Sequence, residues 1–417
     1  MIKKVFYIAV AAILITSCSG KRKIKSITEF TEKLVSSSTH SVSLSDPVSL
    51  ADFHNQITFT KNKAITIKVD NISKFSFSKL GVFEKFITSP SIVEGNIYSL
   101  STNGRVSSFN LTNNKYNWSV NLPVQTTNIT TGTITHYLGK IFVTADLQLF
   151  VLDSSNGKEI TRKSLDDISK NYPVILGNAF LIQTVNNNLY AYETDSWKQV
   201  WAYETWPEYI SSSTVLAPVI FQDSVISGFT TGQLVANKIS DGSELWQINL
   251  SKESDQLLGY NPLDLSCQPV VEDRFMYVAS NNGHLIKLDL LNASIIWKKK
   301  IQDVTSMSVS GTAIFLTNNA RQIAAVSIFD GSIIWTNDLT DPKLLTSKKP
   351  IKPSLFTSPL VTTEGIFVAS SHGEAFLLDP LNGSLKNNFN APNKIKYFGL
   401  YNGKIIVFTD NNAYMLN

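Results

Sequence analysis

Cysteine is nearly absent from this 417-residue chain: Cys18 and Cys267 are the two present. They allow at most one disulfide. Histidine is as sparse. His40, His54, His136, His284 and His372 are scattered, and none forms a metal-spaced His-x-x-x-His pair. Charge of one sign is missing too. The formal net charge of +4 falls to +2 once Lys3 and Lys4 are subtracted as part of a cleaved leader, too little to imply a nucleic-acid or acidic partner. Helix-favouring Ala-Leu-Glu runs are scarce. No glycine-rich segment follows a G-x-G-x-x-G or phosphate-loop pattern. There is no serine in a nucleophile elbow and no locally paired acid/base carboxylate. Each absence lowers the expectation of an enzyme, although distant residues can still converge in one funnel.

Present instead are Asn, Ser, Thr, Ile and Val in a strand-and-turn composition, and a recurring unit. Ser240-Asp241-Gly242-Ser243-Glu244-Leu245-Trp246 has relatives ending in Trp297 and Trp335, and weaker ones ending in Trp118 and Trp201. A full unit is clearest at 268–301: a short apolar strand from Pro269, a Glu272-Asp273 turn, a strand Phe275–Ser280, a tight Asn281-Asn282-Gly283 turn, a strand His284–Asp289, another turn, and a strand holding Trp297. The template also fits 89–122, 217–250 and 358–389, with Asn387 in the Trp slot of the last. It fits more loosely at 137–165 (Thr161 in the slot), 172–204, and 307–339 (Arg321-Gln322 in place of the glycine turn). The chain ends on three strands, 397–400, 404–409 and 413–416. A strand within 57–69, best at Ala64–Val69, can supply the fourth and close a ring without exposed edges. The expectation is an all-β, eight-bladed β-propeller of four-stranded blades occupying 56–417.

In such a ring Trp118, Trp201, Trp246, Trp297 and Trp335 are framework: each packs against the neighbouring blade beside the glycine turn that makes room for it. Asp153, Asp241, Asp289, Asp330 and Asp379 fall at the turn before the Trp strand, which Asx turns explain better than metal binding. His284 and His372 read as turn residues.

The first residues form a leader. Lys3-Lys4 precede a short apolar run, Val5–Ile15, that is too short to span a bilayer comfortably. It ends in Ile15-Thr16-Ser17-Cys18, which resembles the bacterial lipoprotein signal, with residues 1–17 removed and Cys18 lipidated. Several acyl chains on that residue would anchor the chain stably. Ser19, not Asp, follows; in the lipoprotein class this implies the periplasmic face of the outer membrane. Residues 18–55 then read as a solvated tether that includes Lys21-Arg22-Lys23-Ile24-Lys25. With Cys18 lipidated, Cys267 is expected to be a free thiol.

The unit Pro-Val-Val, turn, Tyr-Val, turn-Gly, Leu-x-x-Leu-Asp, turn-Gly-x-x-x-Trp resembles the PQQ-like propeller repeat across nearly all of 57–417. Joined to the lipoprotein signal, and without any further domain, it is similar to the outer membrane protein assembly factor BamB family. Quinoprotein dehydrogenases share the repeat, but that class carries adjacent cysteines over the quinone and this chain has none. The resemblance implies no cofactor and no metal. It implies a non-enzymatic lipoprotein scaffold of the outer-membrane β-barrel assembly complex, touching the periplasmic POTRA domains of the barrel-forming subunit through two long connections, 205–216 and 252–268. In the first, Ile210 holds the family's apolar place and Ser213 stands where the family has Arg; Trp206 and Tyr209 offer aromatic anchors. In the second, Asp264 matches the first acid of the family's Asp-x-Asp and Ser266 replaces the second. A strand edge could also receive unfolded barrel precursors. The alternatives from other classes are a periplasmic quinoprotein enzyme on the same ring and an adaptor lipoprotein of another envelope complex.

Overall fold

The computed structural model describes residues 38–48, 66–69, 76–124, 128–169, 172–205, 216–229, 232–250, 265–280, 283–339, 356–390 and 394–417. Their strands pair into antiparallel meanders that follow one another along the chain. Sheets 1 to 6 span 91–121, 132–164, 174–203, 219–249, 270–300 and 304–338. Sheet 7 contains 360–390. Sheet 8 joins the last three strands, Tyr397–Tyr401, Lys404–Phe408 and Asn412–Leu416, to the early strand Phe77–Val82. The first strands of neighbouring sheets touch around the centre: Ser91–Val93 meets both Tyr397–Tyr401 and Gly132–Tyr137, and Val304–Ser310 meets both Val270–Glu272 and Leu360–Thr362. The architecture is an all-β propeller.

Burial follows position in the sheet. Middle strands lie between neighbouring sheets and are almost wholly buried, as in Ala313–Asn318 and Gln322–Ser327. Fourth strands form the rim and mix exposed with half-buried residues, as in Glu159–Ser164. The middle strands therefore read as apolar runs and the rim strands as alternating ones.

Two expectations are corrected. The blades are not eight uniform four-stranded ones: among the described residues the four-stranded blades number seven, and sheet 7 has six strands. Pro47–Val48 and Thr66–Ile67 add in parallel at its inner edge, where Ile67 pairs with Thr362. Thr66 Oγ1 there lies 2.6 Å from Ser310 Oγ of sheet 6, with Ser45 Oγ 3.1 Å from both. The strand that closes the ring is also Phe77–Val82, not Ala64–Val69. The apolar alternation of the earlier stretch does bury Ile67 and Val69, but within the core between sheets 7 and 8. The closing position needs a residue without Cβ, because a Cβ on Gly81 would lie 2.9 Å from the Phe109 ring.

The residues before Pro47 form a strap. Ser38 Oγ and Ser332 Oγ lie 2.9 Å apart, Ser43 N donates to Thr312 Oγ1 (2.8 Å), and Ser45 N donates to Ser310 Oγ (3.1 Å). Residues 38–48, assigned by sequence to the solvated tether, thus cross sheet 6 from its rim to the centre.

The tryptophans lock neighbouring sheets. Nε1 of Trp118, Trp201, Trp297 and Trp335 donates to the carbonyl of Ser154, Ile239, Ile328 and Pro380, each on the next sheet, at 2.8–3.1 Å. Each ring lies over the glycine four residues before the next sheet's own slot. A Cβ on Gly157 or Gly242 would come within 2.6 Å of Trp118 or Trp201, and one on Gly331 within 2.9 Å of Trp297; Gly383 is covered by Trp335 in the same way. These glycines combine positive φ (70–75°) with an absent side chain, two demands that only glycine meets together. Trp246 packs into the apolar cluster shared by sheets 4 and 5, and the corresponding turn residue there is Ala293, still at φ 49°.

Where the wedge is missing, the fold says why. Sheet 2 has Thr161 in the slot, and the turn residue of sheet 3 is Trp197 (φ 57°), whose ring lies 6.0 Å from Phe142 and 5.5 Å from Phe180. The indole comes from the other side of the junction. Sheet 7 has Asn387 in the slot because the last two strands of sheet 8, Asn412–Leu416 and Phe77–Val82, come from opposite ends of the chain and have no turn to wedge against. From sheet 1, Tyr116 Oη reaches back to Val82 O (2.7 Å).

Candidate partner-binding face

An antiparallel meander sorts its connections by face. Turns joining first to second and third to fourth strands lie on one face of the ring, the turn face. Second-to-third turns and the links between sheets lie on the other, the loop face. The strap meets Thr312 and Ser332, both in turns of the turn face. The described ends of the two long connections lie on the loop face.

Trp206, Tyr209 and Ile210 in the first connection, Asp264 in the second, and Cys18 all lie outside the described residues. The ends of both connections are described. Thr205 Oγ1 donates to Asn187 O (2.8 Å), fixing the start of the first to the loop face of sheet 3. At the far ends, Gln268 ties the two together. Ala217 N donates to Gln268 Oε1 (2.7 Å) and Gln268 Nε2 donates to Ala217 O (2.9 Å), so one side-chain amide satisfies both backbone groups of the other connection's end. Leu265 is buried and bridges to Ser280, and Ser266 N donates to Ala279 O (2.8 Å). A Cβ on Gly228 would lie 2.7 Å from the Leu265 side chain. The far ends of the two connections thus lie side by side on neighbouring first strands.

Gln268 was visible in the sequence only as the residue before Pro269; its clamp on a residue 51 positions away carries no local signal. Cys267, beside it, is a free thiol, and burial pushes it up to about 12, which leaves it protonated and unreactive at neutral pH. On the same face, Arg321 Nη2 and Glu374 Oε2 meet at 2.6 Å between the second-to-third turns of sheets 6 and 7, and the guanidinium lies over Phe356. Arg321 takes the glycine's place in its turn with φ 65° and uses it to cross-link two sheets.

The carboxylates at the turns before the fourth strands have local partners. Asp153, Asp241 and Asp330 each accept from the backbone N–H and hydroxyl of a serine two residues on, and Asp289 and Asp379 accept from the N–H of Leu291 and Leu381. These are Asx turns. The serine hydroxyl bond holds Asp241 below its ordinary range. His136 stacks on Tyr98 and is lowered by burial. Glu272 stands out: burial, with Asp273 adding, pushes it up to about 7 against the pull of Lys287. Lys287 donates to Ile328 O (2.9 Å) and lies 4.1 Å from the Phe275 ring centroid. Among the described residues no three His, Cys, Asp or Glu side chains group as metal ligands.

The family model described as outer membrane protein assembly factor BamB matches residues 102–337. An uncharacterized protein of Rickettsia conorii is 31% identical over 427 residues, covering 99% of this chain and 98% of its own length. The outer membrane protein assembly factor BamB of Moranella endobia is 21% identical over 322 residues, 68% of this chain and 83% of that one. Among solved structures, BamB from Moraxella catarrhalis superposes with a TM-score of 0.65 at 17% identity, covering 82% of this chain and 97% of that one. Quinohemoprotein alcohol dehydrogenase from Comamonas testosteroni gives 0.62 at 11% identity, covering 86% and 79%. At such identities the two structural likenesses speak for the ring alone.

Proposed function

Because the chain belongs to the outer membrane protein assembly factor BamB family, we propose that it is a non-enzymatic scaffold in outer-membrane β-barrel assembly. It is held by acyl chains on Cys18 at the periplasmic face of the outer membrane. It docks through its loop face on the POTRA domains of the barrel-forming subunit. The contact surface is the paired connections 205–216 and 252–268, where Ile210, Trp206 and Tyr209 are apolar and aromatic anchors and Asp264 supplies charge. The observation that supports this reading is the Gln268–Ala217 clamp, which joins the described ends of the two long connections on the frame of the ring, where binding loops are commonly held.

The test is co-purification from detergent-solubilised envelopes with an affinity tag on this chain. The barrel-forming subunit is expected in the eluate. Ile210→Asp should cut its recovery about tenfold, the loss of one central anchor at roughly 1.4 kcal/mol or more, while the melting temperature stays within a degree or two. A wild-type eluate without that subunit contradicts the scaffold reading. A collapse of the melting temperature in Ile210→Asp contradicts the placement of the interface.

A further inference from the structure

The third-to-fourth turns of sheets 1 to 7 share one geometry, with a positive-φ residue at 114, 157, 197, 242, 293, 331 and 383. Two residues earlier the chain comes to the tip of the turn. In sheets 1 to 4 that tip is polar: Thr112, Ser155, Asp195 and Ser240. In sheets 5, 6 and 7 it is Leu291, Phe329 and Leu381, and these are 53%, 53% and 59% exposed. Single exposed apolar residues are ordinary on a protein surface. Three at the same register of three consecutive sheets, all on the turn face, give that sector of the face an apolar row of tips that turn formation does not demand.

The strap enters at the middle of this row. The His40 ring lies 5.2 Å from Phe329, His40 Nε2 is 3.8 Å from Asp330 Oδ2, and Ser38 is bonded to Ser332. Twenty residues (38 minus 18) separate Ser38 from Cys18, which at about 3.5 Å per extended residue can bring the anchor no farther than about 70 Å from the row. That stretch begins with Lys21-Arg22-Lys23-Ile24-Lys25, whose charge complements anionic head groups.

We propose that the turn-face tips of sheets 5, 6 and 7, Leu291, Phe329 and Leu381, rest in the lipid head-group layer, so that the ring leans on the membrane by this sector of its turn face. The inference rests on the lipidation of Cys18 within the function proposed above. It adds an orientation: the strap delivers the turn face to the bilayer, and the loop face, with the paired connections, points away toward the partner. Apolar side chains at three rigid tips enter the interface without reorganising the fold, and the anchor confines them near it so that each need contribute little on its own.

Single cysteines placed at 291, 329 and 381, and for comparison at the exposed tips Ser155 and Ser240, test this on the full lipidated protein. Cys267 is buried and the Cys18 thiol is acylated, so a polarity-sensitive fluorophore reports only the introduced site. The protein is reconstituted in vesicles of phosphatidylethanolamine and phosphatidylglycerol with a fraction of bromine-labelled acyl chains. The expected result is quenching at least threefold stronger at 291, 329 and 381 than at 155 and 240. If the protein floats with the vesicles and all five sites are quenched alike, or none is, the orientation is wrong while the anchor stands. If the wild-type chain floats no better than Cys18→Ala, the anchor fails and the orientation falls with it.

Discussion

The junction of sheets 5 and 6 and the junction of sheets 2 and 3 fill one kind of space from opposite sides. At the first, Trp297 reaches forward from a rim strand to lie over Gly331 and bond Ile328 O. At the second, the rim strand offers Thr161, and the indole is the turn residue Trp197 itself, held at φ 57° against Phe142 and Phe180. At these two junctions the indole is kept while the position that carries it changes, because the volume between two twisted sheets must be filled at crystal-like density whichever chain segment supplies the atoms.

The largest expected effect breaks that equivalence. Trp297→Ala opens a cavity that the flanking sheets cannot close, and should lower unfolding free energy by roughly 3–5 kcal/mol in denaturant titration. Trp197→Gly should cost a similar amount, and Thr161→Trp on top of it should recover much of the loss by restoring the regular arrangement. Thr161→Trp alone, with Trp197 still present, overpacks and should cost roughly 1–3 kcal/mol. Failure of the double variant to recover any stability would show that the two indoles do not share one space.

A smaller effect contrasts the repeated frame with the loop face. Gln268→Ala leaves the Ala217 N–H and C=O without their amide partner, a loss of about 2 kcal/mol. Because the clamp joins the two connections, the variant should also weaken co-purification of the barrel-forming subunit. Trp118→Ala, at the junction of sheets 1 and 2, which neither connection joins, should not do so at a temperature where it is folded. Unchanged co-purification in Gln268→Ala would mean that the clamp is framework only.

The smallest effect depends on pH. The folded-state value of Glu272, about 7, lies above its ordinary value of 4.5. The unfolded chain therefore ionises first, and this residue withdraws stability as pH rises from about 4.5 to about 7, with no further change above. Glu272→Gln should be indistinguishable from the parent near pH 4 and more stable by about 1 kcal/mol at pH 8, after discounting for partial solvent screening. A difference that is equal at both pH values would assign the effect to packing.

Repetition made the frame legible. The positions of Trp118, Trp201, Trp297 and Trp335 and the glycine turns opposite them follow from copies of one motif, since each copy reports the same packing demand. Asn387 stands in the Trp slot with no reason visible in the sequence, and only the pairing of Phe77–Val82 with Asn412–Leu416 shows that the next sheet has no turn to receive an indole. The closing strand itself was misplaced, because Ala64–Val69 has the cleaner apolar alternation while Gly81, which weakens the pattern of the true strand, is what lets Phe109 in. The added strands Pro47–Val48 and Thr66–Ile67 are two residues each, shorter than any periodicity can reveal. At the candidate face, the break in repetition pointed to the two connections, but the residues that seat them, Gln268 and Leu265, act through contacts distant in sequence.

The most direct test of the docking face is site-specific photo-crosslinking in living cells, with a photoreactive residue at Ile210 on the loop face and another at Ser155 on the turn face. The account predicts an adduct with the barrel-forming subunit from position 210 and none from position 155. Adducts from 155 alone, or from neither, would contradict it.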